Sequence, residues 1–88
     1  MSLEPIKRDQ AGLAETRFCR ETPDGGLNIT FRMDTLPYQL GPESLADAPS
    51  FAATWHHLTQ KTWFTPQVAA DLVNVVTARW LARARRWI

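Results

Sequence analysis

The stretch LNITFRM, residues 27–33, determines the fold class that we predict for this chain. Apolar and polar residues alternate along it without a break, as in a β-strand with one buried face. Residues 15–21 are also rich in strand-forming types, and TPDGG at 22–26 joins the two segments. A proline followed by glycines is typical of a tight turn. The sequence therefore predicts an antiparallel β-hairpin over about residues 14–33.

Prolines and a glycine divide the connection that follows the hairpin. Residues 38–40 could add a short third strand to the hairpin. Pro42 is suited to open a short helix near residues 43–48, and Pro49 is expected to end it. The connection is therefore predicted to hold only short elements.

Two longer helices are predicted after residue 50. Ser50 is a suitable N-cap for the first helix, and one side of this helix is predicted to hold Phe51, Trp55, Leu58 and Thr62. Thr65 and Pro66 suit the start of the second helix, which continues to Ile88. Its expected apolar stripe comprises Ala69, Leu72, Val73, Val76, Trp80, Ala84 and Trp87. We therefore expect an α+β fold in which the β-hairpin packs against a C-terminal α-helical hairpin, about residues 50–88.

Length and composition limit the number of domains. The chain has 88 residues, of which 44% are hydrophobic and 22% charged, as in ordinary globular proteins. This length suits one small domain, predicted at residues 14–88, and excludes a nucleotide-binding unit joined to a substrate domain. Residues 1–13 show neither a strand nor a helix period, so we expect a loosely ordered N-terminal arm.

The cysteine count and the N-terminal residues bear on location. Cys19 is the single cysteine, so no internal disulfide can form. Charged residues stand where a signal peptide needs an apolar segment, and no apolar run approaches the roughly 20 residues of a membrane span. We expect a cytoplasmic protein, and the style of residues 55–76 resembles that of bacterial or phage accessory proteins.

The residue types that support catalysis or metal binding do not form a recognisable pattern. His56 and His57 are adjacent, so on a helix they point about 100° apart and cannot chelate one ion in the usual way. Cys19 is predicted on the polar face of the first strand beside Arg17 and Arg20, without a base to activate it. We therefore predict no catalytic residue, no metal, no cofactor, no small-molecule substrate and no enzymatic activity.

The C-terminal segment is the least ordinary part of the sequence. A helix of about 23 residues is ~34 Å long, whereas the preceding helix is ~19 Å long. Trp80 and Trp87 are therefore expected beyond the reach of that helix, under either the β-hairpin or another chain. Tryptophan and arginine are frequent at the energetic centres of interfaces. We hypothesise that Trp80, Arg83, Arg86 and Trp87 bind a protein partner or a second copy of the chain.

The arginines near the C-terminus can also serve in two different ways. Basic residues near a helix C-terminus interact favourably with the helix dipole and keep an amphipathic helix soluble. Alternatively, they bind the phosphates of DNA or RNA, with a net charge of +1 giving only a weak electrostatic signal. The nucleic-acid alternative would use Arg79, Arg83, Arg85 and Arg86.

Overall fold

The computed structural model describes residues 5–85 of the chain. In this range the chain has an α+β architecture, with five short strands followed by a 3₁₀ helix and two α-helices. The strands are β1 (Lys7–Arg8), β2 (Ala14–Glu15), β3 (Cys19–Glu21), β4 (Leu27–Ile29) and β5 (Tyr38–Leu40). The helices are the 3₁₀ helix Pro42–Leu45, α1 (Ala48–Leu58) and α2 (Pro66–Arg85).

The strands form one antiparallel sheet in which neighbours in sequence are also neighbours in space, in the order β1-β2-β3-β4-β5. Strands β3 and β4 pair from Glu21 opposite Leu27 to Cys19 opposite Ile29. The predicted turn joins them, with Gly25 at a φ of 91°, a conformation that glycine adopts without strain. The third strand, at residues 38–40, is confirmed as β5 on the other edge of β4.

The prediction of one continuous strand over residues 15–21 was wrong. A tight turn separates β2 from β3, closed by the Thr16 N–H, which donates to the Cys19 carbonyl at 2.8 Å. The two strands pair at Glu15 and Arg20. Because the turn resets the alternation of faces, Cys19 lies in the core and is 2% exposed. Its predicted position on the polar face was therefore wrong.

Strand β4 ends at Ile29 rather than at Met33. On one side of β4, strand β3 begins at Cys19, directly after the turn at residues 16–18. On the other side, the last residue pair with β5 joins Ile29 to Tyr38. Beyond this point one further backbone hydrogen bond joins the Thr30 N–H to the Phe18 carbonyl at 2.7 Å, and the alternating residues after it form part of a loop. Met33 is consequently 99% exposed.

The N-terminal segment contributes to the sheet. Lys7 and Arg8, within the predicted arm, form β1 and pair with Glu15 and Ala14 of β2. Residues 1–4 lie outside the described part of the chain. The division of the chain at residue 13 stays a prediction.

Proline and capping residues set the start of both α-helices. Pro49 is the second residue of α1 and does not end the preceding short helix, because a proline in the first helical turn lacks only an N–H that would have no partner. The N-cap is Asp47, whose Oδ1 accepts from the Ser50 N–H at 2.8 Å, and not Ser50. At α2, Thr65 is confirmed as a cap, since its Oγ1 accepts from the Val68 N–H.

The core lies between the sheet and the inner face of α2. Within the described residues, no helix is long and apolar enough to cross a membrane. On α2 the buried positions are rotated from the predicted stripe: Val73 is 42% exposed, and the buried acid Asp71 stands on the inner face. The buried apolar residues are Ala14, Cys19, Leu27, Ile29, Leu40, Leu45, Leu58, Val68, Leu72, Val75 and Val76.

Candidate interaction surface

Trp80 is packed against its own chain. Its indole Nε1–H donates to the Leu45 carbonyl at 3.1 Å, and its ring meets the edge of Phe51 with 5.6 Å between centroids. The prediction that the first helix does not reach Trp80 was wrong, because α1 begins three residues before Phe51 and borders the C-terminal half of α2. The side chain is half-buried.

The Trp80 contact belongs to a continuous series of ring contacts that ties both helices to the sheet side. Trp63 stacks on Phe31 at 4.5 Å with an interplanar angle of 7°, and it also contacts Tyr38. Such ring pairs stabilise a protein by about 0.5–1.5 kcal/mol each beyond their area burial. The series runs Phe31, Trp63, Phe64, Trp55, Phe51 and Trp80.

Arg79 is committed to a contact within the chain. Its guanidinium donates to the Glu21 carboxylate, from Nε at 3.0 Å and from Nη2, and to the Gly25 carbonyl at 2.6 Å. Both charged side chains are only 13% exposed. Arg79 therefore joins α2 to β3 and to the turn after it.

The environment of Glu21 favours its charged form. Burial alone would raise the pKa of this carboxyl. A hydrogen bond from the Ala14 N–H and the bonds and charge of Arg79, with a smaller effect of Arg8, outweigh burial and lower the pKa. The carboxylate is thus a stable partner for the buried guanidinium.

The other predicted arginines differ in their surroundings. Arg83 is exposed and donates from Nη1 to the Ala46 carbonyl at 3.1 Å. Arg85 is exposed at the end of α2. Arg86 and Trp87 lie outside the described residues. The structure therefore does not bring the predicted arginines together on one open face, since Arg79 points into the protein.

Asp71 is a residue whose role the sequence analysis missed. Its Oδ2 accepts from the Thr16 hydroxyl at 2.6 Å and from the Phe18 N–H at 2.7 Å, so it closes the β2–β3 turn from α2. The signal was present, because Asp71 follows Val68 by three residues and precedes Val75 by four. An acid on the apolar face of a helix requires a buried partner.

The residues considered for catalysis or metal binding are separate from one another. Burial, followed by the negative charge of Asp71, raises the pKa of the Cys19 thiol to about 12, so it is not an activated nucleophile. His56 and His57 are both exposed on α1. Among residues 5–85, no three His, Cys, Asp or Glu side chains form a group that could hold a metal ion.

An apolar groove lies on the outer face of α2, beside α1. It has a volume of about 490 Å³, and the indole of Trp55 forms one side. Further along the same side of α2, Leu81 is 54% exposed. The recurrence of Ala70, Val73, Thr77, Leu81 and Ala84 at intervals of three and four residues was the available signal for this second stripe. The groove is lined by Trp55, Ala69, Ala70, Val73, Asn74 and Thr77.

The two helices that form the groove carry no exposed acidic residue. Asp71 is the single acidic residue between positions 48 and 85, and it is 9% exposed and faces the sheet. The exposed ionisable residues of the two helices are basic: Arg83, Arg85 and the two histidines. The groove is therefore apolar, and the helices beside it have no exposed carboxylate.

No protein-family model, no curated protein and no solved structure matches the chain. Its side-chain geometry and surface chemistry are therefore the basis for the proposed function.

Proposed function

We propose that the protein is a small non-enzymatic interaction module that binds an acidic amphipathic segment of a partner protein on the outer face of α2. The observation that carries this proposal is the apolar groove beside Trp55, which is formed by two helices without exposed acidic residues. An amphipathic helix places apolar side chains at intervals of three and four residues into such grooves.

The groove offers the partner one aromatic wall and several small residues. The small side chains of Ala69, Ala70 and Thr77 allow close approach, and Trp55 supplies a large, stiff contact area. Trp55 is itself held by Phe51 and Phe64, so little side-chain freedom is lost on binding. We propose that α1 and α2 act together as the helical hairpin that the sequence predicts.

The residues named from the sequence take modified roles in this proposal. Trp80 supports the face through Phe51 and Leu45 rather than contacting the partner as its main anchor. Arg83 is directed to the Ala46 carbonyl, away from the groove, so it is not proposed as a contact. Arg86 is proposed to supply positive charge and Trp87 a further apolar contact. Rim charges of this kind affect the rate of association more than the affinity.

Charge favours an acidic partner over a second copy of the chain. In a symmetric dimer the same patch meets itself, so the basic residues of one α2 would face those of the other. Like charges opposed across an interface are unfavourable, whereas carboxylates of a different partner would be complementary. Self-association is therefore the second outcome to measure.

The nucleic-acid alternative loses one of its residues in the structure. Arg79 is occupied by Glu21 and by the Gly25 carbonyl, so it is not free to bind a phosphate. Arg85 is exposed but borders the apolar groove face rather than a basic groove. A duplex or single strand would still be held by charge alone, with an affinity that falls steeply as salt increases.

A direct test uses a fluorescent amphipathic peptide of about 15 residues, with leucines on one face and glutamates elsewhere. We expect saturable binding in fluorescence anisotropy, and much weaker binding of the same peptide with lysines in place of the glutamates. Val73→Glu and the uncharged Val73→Ser should both weaken binding, the former by about tenfold or more.

The matched control is Leu36→Glu, which adds the same charge to an 89% exposed residue in the loop between β4 and β5. Its affinity for the peptide should equal that of the native protein. The proposal is contradicted if the glutamate and lysine peptides bind equally well. It is also contradicted if Val73→Glu and Leu36→Glu weaken peptide binding to the same extent. If light scattering shows a dimer that Val73→Ser dissociates, the groove binds a second copy of the chain and not an acidic partner.

A further inference from the structure

A second concave site lies at the opposite side of α2 from the apolar groove. It is a cleft of about 540 Å³ between β1, the turn after β3 and the C-terminal half of α2. Three arginines from two distant parts of the chain line it: Arg8 of β1 and Arg79 and Arg83 of α2. Glu21 is the single carboxylate in the lining.

The charges in this cleft do not cancel. Glu21 is paired with Arg79, which donates four hydrogen bonds, two to this carboxylate and one each to the carbonyls of Gly25 and Gly26. The Arg8 guanidinium is 3.6 Å from the same carboxylate, a longer and more exposed contact. The lining of the cleft thus holds one carboxylate and three guanidinium groups, an excess of two positive charges.

Arg8 and Arg83 keep hydrogen-bond donors for a ligand. Each is held by one backbone carbonyl, since Arg8 Nη1 donates to Gly12 at 2.9 Å and Arg83 Nη1 donates to Ala46 at 3.1 Å. Within residues 5–85, the Nε and Nη2 groups of both side chains donate no hydrogen bond. A guanidinium fixed on one side and open on the other is suited to bind an oxyanion through two parallel N–H groups.

We propose that this cleft binds a doubly charged oxyanion of the phosphate monoester type, with Arg8 and Arg83 as ligand-binding residues. Arg79 acts as a positioning residue, because its bonds to Glu21 hold β3 and α2 at a fixed separation. A phosphate monoester carries a charge of about −1.5 to −2 near neutral pH, which matches the excess charge of the cleft. Its three terminal oxygens are strong acceptors for guanidinium N–H groups.

The cleft is also of the size that small ligands occupy. Sites for small molecules have volumes of roughly 300–1,000 Å³, so the space accepts a phosphate together with a small organic group. The site does not depend on the apolar groove of the proposed function, since the two share no lining residue.

The test is a titration of the whole protein with inorganic phosphate at constant ionic strength, followed by ¹H–¹⁵N NMR. We expect saturable shifts at the Arg8 and Arg83 side chains and at the Gly25 amide, and no saturation with acetate, which carries one charge. Arg8→Gln and Arg83→Gln should each weaken phosphate binding by about tenfold, the loss of one charge-assisted contact.

The matched control is Arg85→Gln, which removes an exposed arginine of the same helix that does not line the cleft. Its phosphate affinity should stay within about twofold of the native value. Equal weakening in Arg85→Gln and Arg83→Gln would mean that only net charge attracts the anion, and would overturn the proposal. Absence of saturation by phosphate would overturn it as well.

Two further titrations distinguish the sources of the phosphate. A nucleoside 5′-monophosphate and a phosphoserine should each bind at least as tightly as inorganic phosphate if the cleft takes the organic group as well. Tighter binding of a single-stranded oligonucleotide, lost equally in the Arg83 and Arg85 variants, would replace the small ligand with a nucleic acid. Val73→Ser should leave phosphate binding unchanged, which separates this site from the apolar groove.

Discussion

Arg79 of α2 and Glu21 of β3 form a largely buried ion pair between helix and sheet, although 58 residues separate them in sequence. Eight positions earlier on the same face of α2, Asp71 accepts from Thr16 and from the Phe18 N–H. The acidic Asp71 and the basic Arg79 thus lie about two helical turns apart on α2. Asp71 binds the β2–β3 turn, and Arg79 binds β3 and the β3–β4 turn. These contacts fix the rotation of α2 about its axis.

Removing the arginine of the buried pair should cost more stability than removing a surface arginine. Arg79→Ala leaves Glu21 without its main partner, so we expect the free energy of unfolding to fall by about 3 kcal/mol. Urea denaturation followed by circular dichroism measures this. The control is Arg20→Ala, in the exposed pair Arg20–Glu15, where we expect a change below about 1 kcal/mol. Equal effects of the two substitutions would contradict the ranking.

Acid should weaken the fold through Glu21. Its pKa is lowered in the folded protein, so the unfolded chain binds the proton more readily at mildly acidic pH. The stabilisation is complete above the unfolded pKa of about 4.3 and is lost as the pH falls through the folded pKa. Thermal unfolding between pH 7 and pH 3 should show a shallower decline in Glu21→Gln than in the native protein. A parallel decline in both would show that other carboxyls dominate.

The thiol of Cys19 should be protected in the folded protein. With its pKa raised to about 12 by burial, the thiolate fraction at pH 8 is lower than that of a free cysteine on the order of a thousandfold. A thiol-specific disulfide reagent should therefore react slowly in buffer and rapidly in denaturant. Fast stoichiometric labelling of the folded protein would be incompatible with a buried thiol.

The charge of Asp71 should influence both stability and Cys19. Asp71→Asn weakens the bonds to Thr16 and to the Phe18 N–H, and we expect a loss of about 1–2 kcal/mol in the free energy of unfolding. Because the charge of Asp71 contributes to the high pKa of Cys19, the same substitution should lower that pKa. The pH dependence of thiol alkylation measures the second effect. Thr16→Val is the comparison, since it removes one of these hydrogen bonds and retains the charge of Asp71. Because the Thr16 hydroxyl lowers the pKa of Cys19, this substitution should raise that pKa, opposite to Asp71→Asn.

Local signals in the sequence predicted the elements whose causes lie within a few residues. The turn between β3 and β4, the Thr65 cap and the strand at residues 38–40 depend on backbone preferences of nearby residues. The split of residues 15–21 was not predicted, because the turn there is closed partly by Asp71, which lies more than 50 residues away. A strand pattern alone gives no sign of such a partner.

The sites were less accessible from the sequence than the fold class. The arginines near the end of α2 were recognised as unusual, but Arg79 was grouped with exposed residues although Glu21 pairs with it. The apolar groove was missed because Val73 was assigned to the core stripe, whereas 42% of it is exposed. Both errors have one origin: the contacts of the buried Asp71 and Arg79 set which face of α2 packs against the sheet.

By itself the sequence determined the α+β class, the main turn and the start of the second helix, because turn geometry and capping depend on adjacent residues. Only the tertiary structure decided which face of α2 is buried, where Cys19 lies and which arginines face solvent. A buried charge needs a partner of opposite sign or a set of hydrogen-bond donors. That partner comes from wherever the fold places it, at a distance in sequence that no local period records.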